Sequence, residues 1–354
     1  MTLWRFSAAV CVSLGWCAAV AGPARARAAG AKAKGPVKVF ILAGQSNMQG
    51  DGHVGPADKK GTLEYLVKSS DKAGRFRHLV GGGGKWAVRD DVWFFQRRTQ
   101  RTGRGAKRKI ETSDFAGKLT AGLSGTAARP RIGPELQFGH VMGDHFDEQV
   151  LLIKTAWGGK SLGLDFRPPS AGKIPYELPA KTQKAIADKQ LVVGGTYRRM
   201  LGEVREVLKD PKKHFPACDG AGCEIVGLCW HQGWNDGCNA AFAAEYEKNL
   251  EAFIRDVRKD LGVADLPVVI ASSGFGGHSE KLPGVRARIK KVVEPAQIAV
   301  AGKMKHVTCV PTRDFFRPRE ESPTGASYHW NSNAETYFLI GDAMGRAMKD
   351  LLKR

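Results

Sequence analysis

Acidic residues are scarce in this sequence. There are 35 of them against 55 lysines and arginines in 354 residues, for a formal net charge of +20. That imbalance would suit a nucleic-acid binder, but the basic runs are themselves poor in aromatic residues. The run Arg97-Arg98-Thr-Gln-Arg101-Thr-Gly-Arg104-Gly-Ala-Lys107-Arg108-Lys109 has no ring on which a base can stack. A solvated basic surface, or a loop touching an anionic polymer, is the expectation, and no nucleic-acid partner is expected. Repeats with a period of about 20–50 residues are missing, which excludes solenoids and propellers. The phosphate-loop pattern Gly-x-x-x-x-Gly-Lys-Ser/Thr is missing too, because Gly81 to Gly84 run into Lys85-Trp86. Structural zinc prefers paired short Cys/His spacings, and only one such pair is present, so neither a metal nor another cofactor is expected.

Long apolar runs are also lacking. Phe6 to Ala21 is apolar but too short to span a bilayer comfortably. It follows Arg5 and precedes Pro23-Ala-Arg-Ala-Arg-Ala28, which offers two Ala-x-Ala frames. Residues 1–28 therefore read as a signal peptide and 29–36 as a disordered lead-in, with an exported protein and no stable membrane span after cleavage; an uncleaved membrane anchor is the alternative. Five cysteines follow: Cys218, Cys223, Cys229, Cys238 and Cys309. Cys218-Asp-Gly-Ala-Gly-Cys223 is a loop that a disulfide can close, and the odd number leaves at least one thiol free or paired between chains. The oligomeric state is not legible.

What is present is an alternation of two periodicities. Val37 to Ala43, Gln149 to Ala156, Glu224 to Trp230 and Leu266 to Ser272 are short continuous apolar runs of the buried parallel-strand type. Helical spacing starts at Gly133-Pro134-Glu135 and recurs over about 197–208, 240–261 and 333–352. The expected fold is α/β: a three-layer α/β/α sandwich around a parallel sheet, as one domain over 37–354. Residues 51 to 130 are expected to be a hairpin-and-loop insertion near the site.

In such sheets ligands bind beyond the carboxyl ends of the strands. Three polar clusters fall there: Gly44-Gln45-Ser46-Asn47-Met48, Trp157-Gly158-Gly159-Lys160 and His231-Gln232-Gly233-Trp234-Asn235-Asp236. A fourth, Tyr328-His329-Trp330-Asn331, precedes the last helix. A serine hydroxyl attacks only when a base takes its proton and donors receive the developing oxyanion. Ser46 sits on a strand-end turn and is the candidate nucleophile, with His329 as candidate base. The N–H groups of Ser46 and of the Gly158-Gly159 pair, with the Gln232 amide, are candidate oxyanion donors. Gln45 and Asn47 join them as candidate substrate contacts. The lipase elbow Gly-x-Ser-x-Gly is disfavoured, because Met48 holds the second glycine position. Trp86, Trp93, Trp157, Trp234 and Trp330 are either sugar-stacking platforms or core. His140 and His145 read as surface residues.

These clusters, in this order over roughly residues 37 to 350, resemble the SGNH-hydrolase superfamily, and more closely its sialate O-acetylesterase / carbohydrate esterase family 6 group. The resemblance implies metal-free removal of acetyl groups from sugars, with Ser46 as nucleophile and His329 as base. The sequence departs from the pattern twice. The position three before the histidine, commonly an aspartate that orients the imidazole, is Ala326, and the glutamate common after Gln-Gly is Trp234. Asp236 is then the nearest acid on a strand-end loop, with Glu320, Glu321 or a backbone carbonyl as alternatives. The function expected is an exported serine esterase acting on acetylated carbohydrate. The alternative is a weakened or inactive glycan-binding protein on the same fold.

Overall fold

The structure is a computed structural model, and it describes residues 35–353 apart from positions 70, 103–108, 126–128, 219 and 221. The expected signal peptide, most of the lead-in and the centre of the basic run lie outside the described residues. Nine strands are present among the described residues: β1 Val37–Gly44, β2 Gly52–His53, β3 Arg89–Thr102, β4 Lys109–Leu119, β5 Arg131–Ile132, β6 Val150–Ala156, β7 Cys223–His231, β8 Val268–Ala271 and β9 Val307–Val310. Seven form one sheet in the order β4-β3-β6-β1-β7-β8-β9, and β2 and β5 pair separately. Every neighbour in the large sheet is parallel except β4, which returns antiparallel along β3.

The apolar runs form strands because parallel strands are covered on both faces. Every residue of β6 is buried, and β1 is buried from Val39 to Gly44. Phe40 packs edge-on against Phe138 of the helix Glu135–His145, with ring centroids 5.2 Å apart. Trp230, in register with Ala43 and so on the opposite face, packs on Phe253 of the helix Tyr246–Leu261 at 4.4 Å. Helices therefore cover both faces, and the architecture is a three-layer α/β/α sandwich. The long C-terminal helix Ala334–Leu352 lies beside the Glu135–His145 helix and is capped by Asn333, whose side chain accepts from the N–H groups of Glu335 and Thr336. Among the described residues, no helix is long and apolar enough to cross a membrane.

Three features differ from the sequence reading. The stretch 51–130 is not merely appended: Val92 to Gln96 of β3 pair in parallel with β6, so the hairpin β3–β4 forms one edge of the sheet. Only that short part of β3 is apolar; the rest is basic or polar and so resembles a loop. His140 is buried rather than exposed, packed against His78 at 5.0 Å, and burial drives its pKa down to about 3. Cys218 and Cys223 are both free thiols, and burial together with the nearby Cys218 raises Cys223 to about 11.

The strand order fixes where a site can form. The chain runs from β1 outward to β3, back through β6, then across to β7, β8 and β9. The switch falls at β1, and there connections leave in opposite directions and open a crevice. The two helices beside each other on one face meet closely at Gly341, where a Cβ would lie 2.3 Å from the Pro134 carbonyl oxygen. Gly341→Ala is expected to destabilise the fold by about 2–3 kcal/mol through overpacking against backbone, read as a lowered urea midpoint with unchanged slope.

Candidate active site

β1 ends in a forced turn. At Gly44 φ is +152°, and a Cβ there would lie 2.2 Å from the His231 carbonyl oxygen, so only glycine lets β1 and β7 approach this closely. The chain then turns through Gln45 into a single helical turn, Ser46–Gln49, with Ser46 partly exposed at its start. The first N–H groups of a helix have no acceptor within it, so the Ser46 N–H is unpaired by its own helix. A Cβ on Gly158 would sit 3.7 Å from Ser46 Cβ, which puts the glycine pair after β6 directly against the serine. Gly158 and Gly159 are both exposed, and among the described residues neither N–H is engaged by a protein acceptor.

The neighbours of Ser46 hold the loops together. Asn47 is fully buried; its Nδ2 donates to the Tyr328 carbonyl at 2.9 Å, and its Oδ1 accepts from the Tyr337 hydroxyl at 2.7 Å. The residue after Ser46 is thereby joined to the residue before His329. Gln45 Oε1 accepts from the N–H groups of Gly233 and Asn235 and from Gln232 Nε2, bracing the β1 turn on the β7 loop. Asn235 Nδ2 donates in turn to the Gly159 carbonyl at 2.5 Å, tying the glycine pair to the same loop. Ser46, Gly158, Gly159, Gln45, Asn47 and the His329 loop are thus brought together at one sheet edge.

Two candidates lie elsewhere in that edge. Gln232 turns inward: its two amide hydrogens face Asp236 Oδ2 at 2.5 Å, the Lys160 carbonyl at 3.1 Å and Gln45. It has no N–H left for an oxyanion. Asp236 is fully buried and accepts from the N–H groups of Leu162 and Gly163, both at 2.8 Å, as well as from Gln232. Burial raises its carboxyl to about 6 against those three donors. Its expected position behind His329 is therefore corrected: Asp236 closes the loop after the glycine pair. The two residues share a sheet edge, but the Asp236 side chain points beneath the β6 loop.

The acid at the imidazole is Asp51, which sequence reasoning missed. His329 Nδ1 lies 3.4 Å from Asp51 Oδ2. The Ser332 hydroxyl donates to the same oxygen at 2.7 Å, and Arg131 Nε reaches Oδ1 at 3.4 Å. Burial opposes the charge on Asp51, but His329, Ser332 and Arg131 together hold its carboxyl below the usual range. The signal was an acid between two glycines, Gly50-Asp51-Gly52, five residues after the candidate nucleophile. His329 itself is followed by three left-handed residues, Trp330, Asn331 and Ser332, with φ of 51°, 55° and 58°. Such non-glycine conformations cost about 1 kcal/mol or more each and persist only where surroundings impose them. Here Asn331 is held by Ala326, Thr324 and Arg317, and Trp330 is fully buried. His231, the other histidine at this edge, is sealed in: burial lowers its pKa to about 4, and its Nδ1 faces the Ala271 carbonyl.

Beneath the Ser46 turn lies an ion pair with almost no exposure. Lys154 Nζ on β6 contacts Glu135 Oε2 at 2.5 Å, Ser124 Oγ at 2.9 Å and the Gln49 carbonyl at 3.0 Å. Burial pushes the lysine pKa down, and Glu135 opposes that shift. The pair anchors the far end of the turn that presents Ser46.

Known proteins resemble this chain in sequence and in fold. The sequence profile of a family described as carbohydrate esterase, sialic acid-specific acetylesterase, matches residues 36–350. A probable carbohydrate esterase of Arabidopsis thaliana is 28% identical over 118 residues, which cover 33% of this chain and only 36% of that protein. Among solved structures, one from Arabidopsis thaliana is 17% identical with a TM-score of 0.49, over 89% of this chain and 98% of the other. A carbohydrate acetylesterase from Xanthomonas citri is 14% identical with a TM-score of 0.48, over 89% of this chain and 57% of the other.

Lys154→Met strands the Glu135 carboxylate in the interior and is expected to cost about 3–5 kcal/mol in urea unfolding. Adding Glu135→Gln is expected to recover much of that loss, because the uncompensated charge is then gone.

Proposed function

The chain belongs to the sialic acid-specific acetylesterase family of carbohydrate esterases, and from that membership we propose that it hydrolyses O-acetyl esters of carbohydrates through an acyl-enzyme on Ser46. One observation carries the assignment of residues: the Asn47 side chain bonds the Tyr328 carbonyl, joining the Ser46 turn to the His329 turn where the glycine pair abuts the serine.

His329 takes the Ser46 proton as Oγ attacks the acyl carbon. The carbonyl oxygen becomes an oxyanion that accepts hydrogen bonds from the Ser46 N–H and the glycine-pair N–H groups. Collapse of the tetrahedral intermediate breaks the ester C–O bond, and His329 returns the proton to the departing sugar hydroxyl. Water, deprotonated by His329, then attacks the acyl-serine; acetate leaves and Ser46 regains its proton. Each step uses Nε2 of one imidazole, with Nδ1 held from behind.

The rim favours a sugar. Tyr328 is 48% exposed beside His329, and its ring lies 6.0 Å from that of the partly exposed Trp234. An aromatic face next to the reacting bond suits the apolar face of a pyranose. Trp330, by contrast, is fully buried and belongs to the core.

Ser46→Ala is expected to lower turnover of 4-nitrophenyl acetate and of acetylated glycans by about 10⁴-fold or more, and to abolish covalent labelling by a fluorophosphonate. Undiminished hydrolysis by that variant sinks the assignment. Tyr328→Ala keeps the backbone carbonyl that Asn47 uses. It is expected to raise KM for an acetylated oligosaccharide by about 2- to 10-fold, with a smaller effect on 4-nitrophenyl acetate, which carries no sugar.

A further inference from the structure

The esterase reading needs something to hold the His329 imidazole with Nε2 toward Ser46, and the obvious supports are absent. Ala326 has no side-chain acceptor, and its carbonyl already accepts from the N–H groups of His329 and Asn331 at 2.8 and 3.0 Å. Asp236 is sealed beneath the β6 loop by three donors. Glu320 and Glu321 are exposed, on a short turn in which the Glu321 carbonyl accepts from Asn333. Among the described residues, Asp51 is the carboxylate that forms an ion pair with His329.

We propose that Asp51 is the positioning acid for His329, taking over from the other end of the chain the task that Ala326 cannot perform. This rests on the esterase reading above. A carboxylate on Nδ1 fixes the tautomer that leaves Nε2 free to accept the serine proton, and it stabilises the imidazolium formed by that transfer. The 3.4 Å separation is that of the resting site; such contacts shorten as the imidazole gains charge. Asp51 is itself held in place. Ser332 donates to the oxygen nearest His329, and the left-handed run Trp330–Ser332 is what bends the chain back so that it can. Arg131 holds the other oxygen. Two clasps therefore flank His329: Asn47 to Tyr328 before it, and Asp51 to Ser332 after it. Nucleophile and positioning acid sit on one turn, five residues apart.

The test uses Asp51→Asn in the full enzyme, with kcat and KM measured separately beside Ser46→Ala. The expected result is a fall in kcat of about 10²–10⁴-fold with KM little changed, as when a triad acid becomes an amide. Ser332→Ala, which removes a brace and keeps the carboxylate, is expected to lower kcat by a smaller factor. A folded Asp51→Asn enzyme with wild-type kcat overturns the proposal. If that variant fails to fold, a Ser332→Ala enzyme indistinguishable from wild type in kcat overturns it instead. Should Ser46→Ala stay active, the esterase reading falls; should it be dead while Asp51→Asn is fully active, only the role of Asp51 falls.

Discussion

The site depends on the buried Asn47 side chain more than on any other single contact. Its amide donates to the Tyr328 carbonyl and its oxygen accepts from the Tyr337 hydroxyl, so one side chain joins the turn after the first strand to the loop before the last helix. These segments are 281 positions apart. Nothing in the sheet ladder joins them, because both lie beyond the strand ends, where backbone groups have lost their neighbours. A buried amide with its donor and acceptor both engaged is costly to leave half-satisfied. That asymmetry makes Asn47 a positional lock rather than a filler.

The same logic runs along the whole sheet edge. Parallel strands must stop somewhere, and the loops that follow still need their polar groups satisfied without water. Gln45 serves two N–H groups of the β7 loop, Asn235 serves the glycine-pair loop, and Asp236 serves the two N–H groups that follow it. Tyr246 and Gln297 complete the network from below, both donating to the Gln232 carbonyl. Residues that look like substrate contacts by sequence position are here what keeps the exposed ones still. A rigid edge of this kind suits chemistry that needs donors fixed before charge develops.

Much of this was legible in the sequence, and the parts that were not share a cause. The apolar runs Val37 to Ala43, Gln149 to Ala156, Glu224 to Trp230 and Leu266 to Ser272 fall on the strands Val37–Gly44, Val150–Ala156, Cys223–His231 and Val268–Ala271. The helix expected over 240–261 is real but interrupted at Glu245. β3 escaped because only Val92 to Gln96 is apolar, and β9 because a four-residue strand carries little pattern. Gln232 and Asp236 lie on the expected edge, but the direction of a side chain on a loop is set by its partners. Asp51 stays hidden in the sequence for a different reason: the pattern offers position 326, the β7 loop and the stretch upstream of His329 for the acid, whereas position 51 reaches the imidazole only through the fold.

The origin of this acid shows how such a site can be built. An imidazole on a loop has one face for the serine and one edge for an acid, and the acid's origin along the chain is immaterial to the chemistry. What matters is that the approach is dry enough to favour the pair and braced enough to hold it. The turn from Gly44 to Gly52 already passes the histidine loop, because Asn47 holds the two together. An acid at position 51 therefore arrives with its geometry largely determined by contacts that exist for another purpose. An acid at 326 would have to be positioned by the histidine loop alone, whose following residues are held in strained left-handed conformations. Anchoring the acid on the nucleophile's own turn ties the relative placement of Ser46 and the support of His329 to a single element, so that motion of the histidine loop is resisted from both sides of the imidazole.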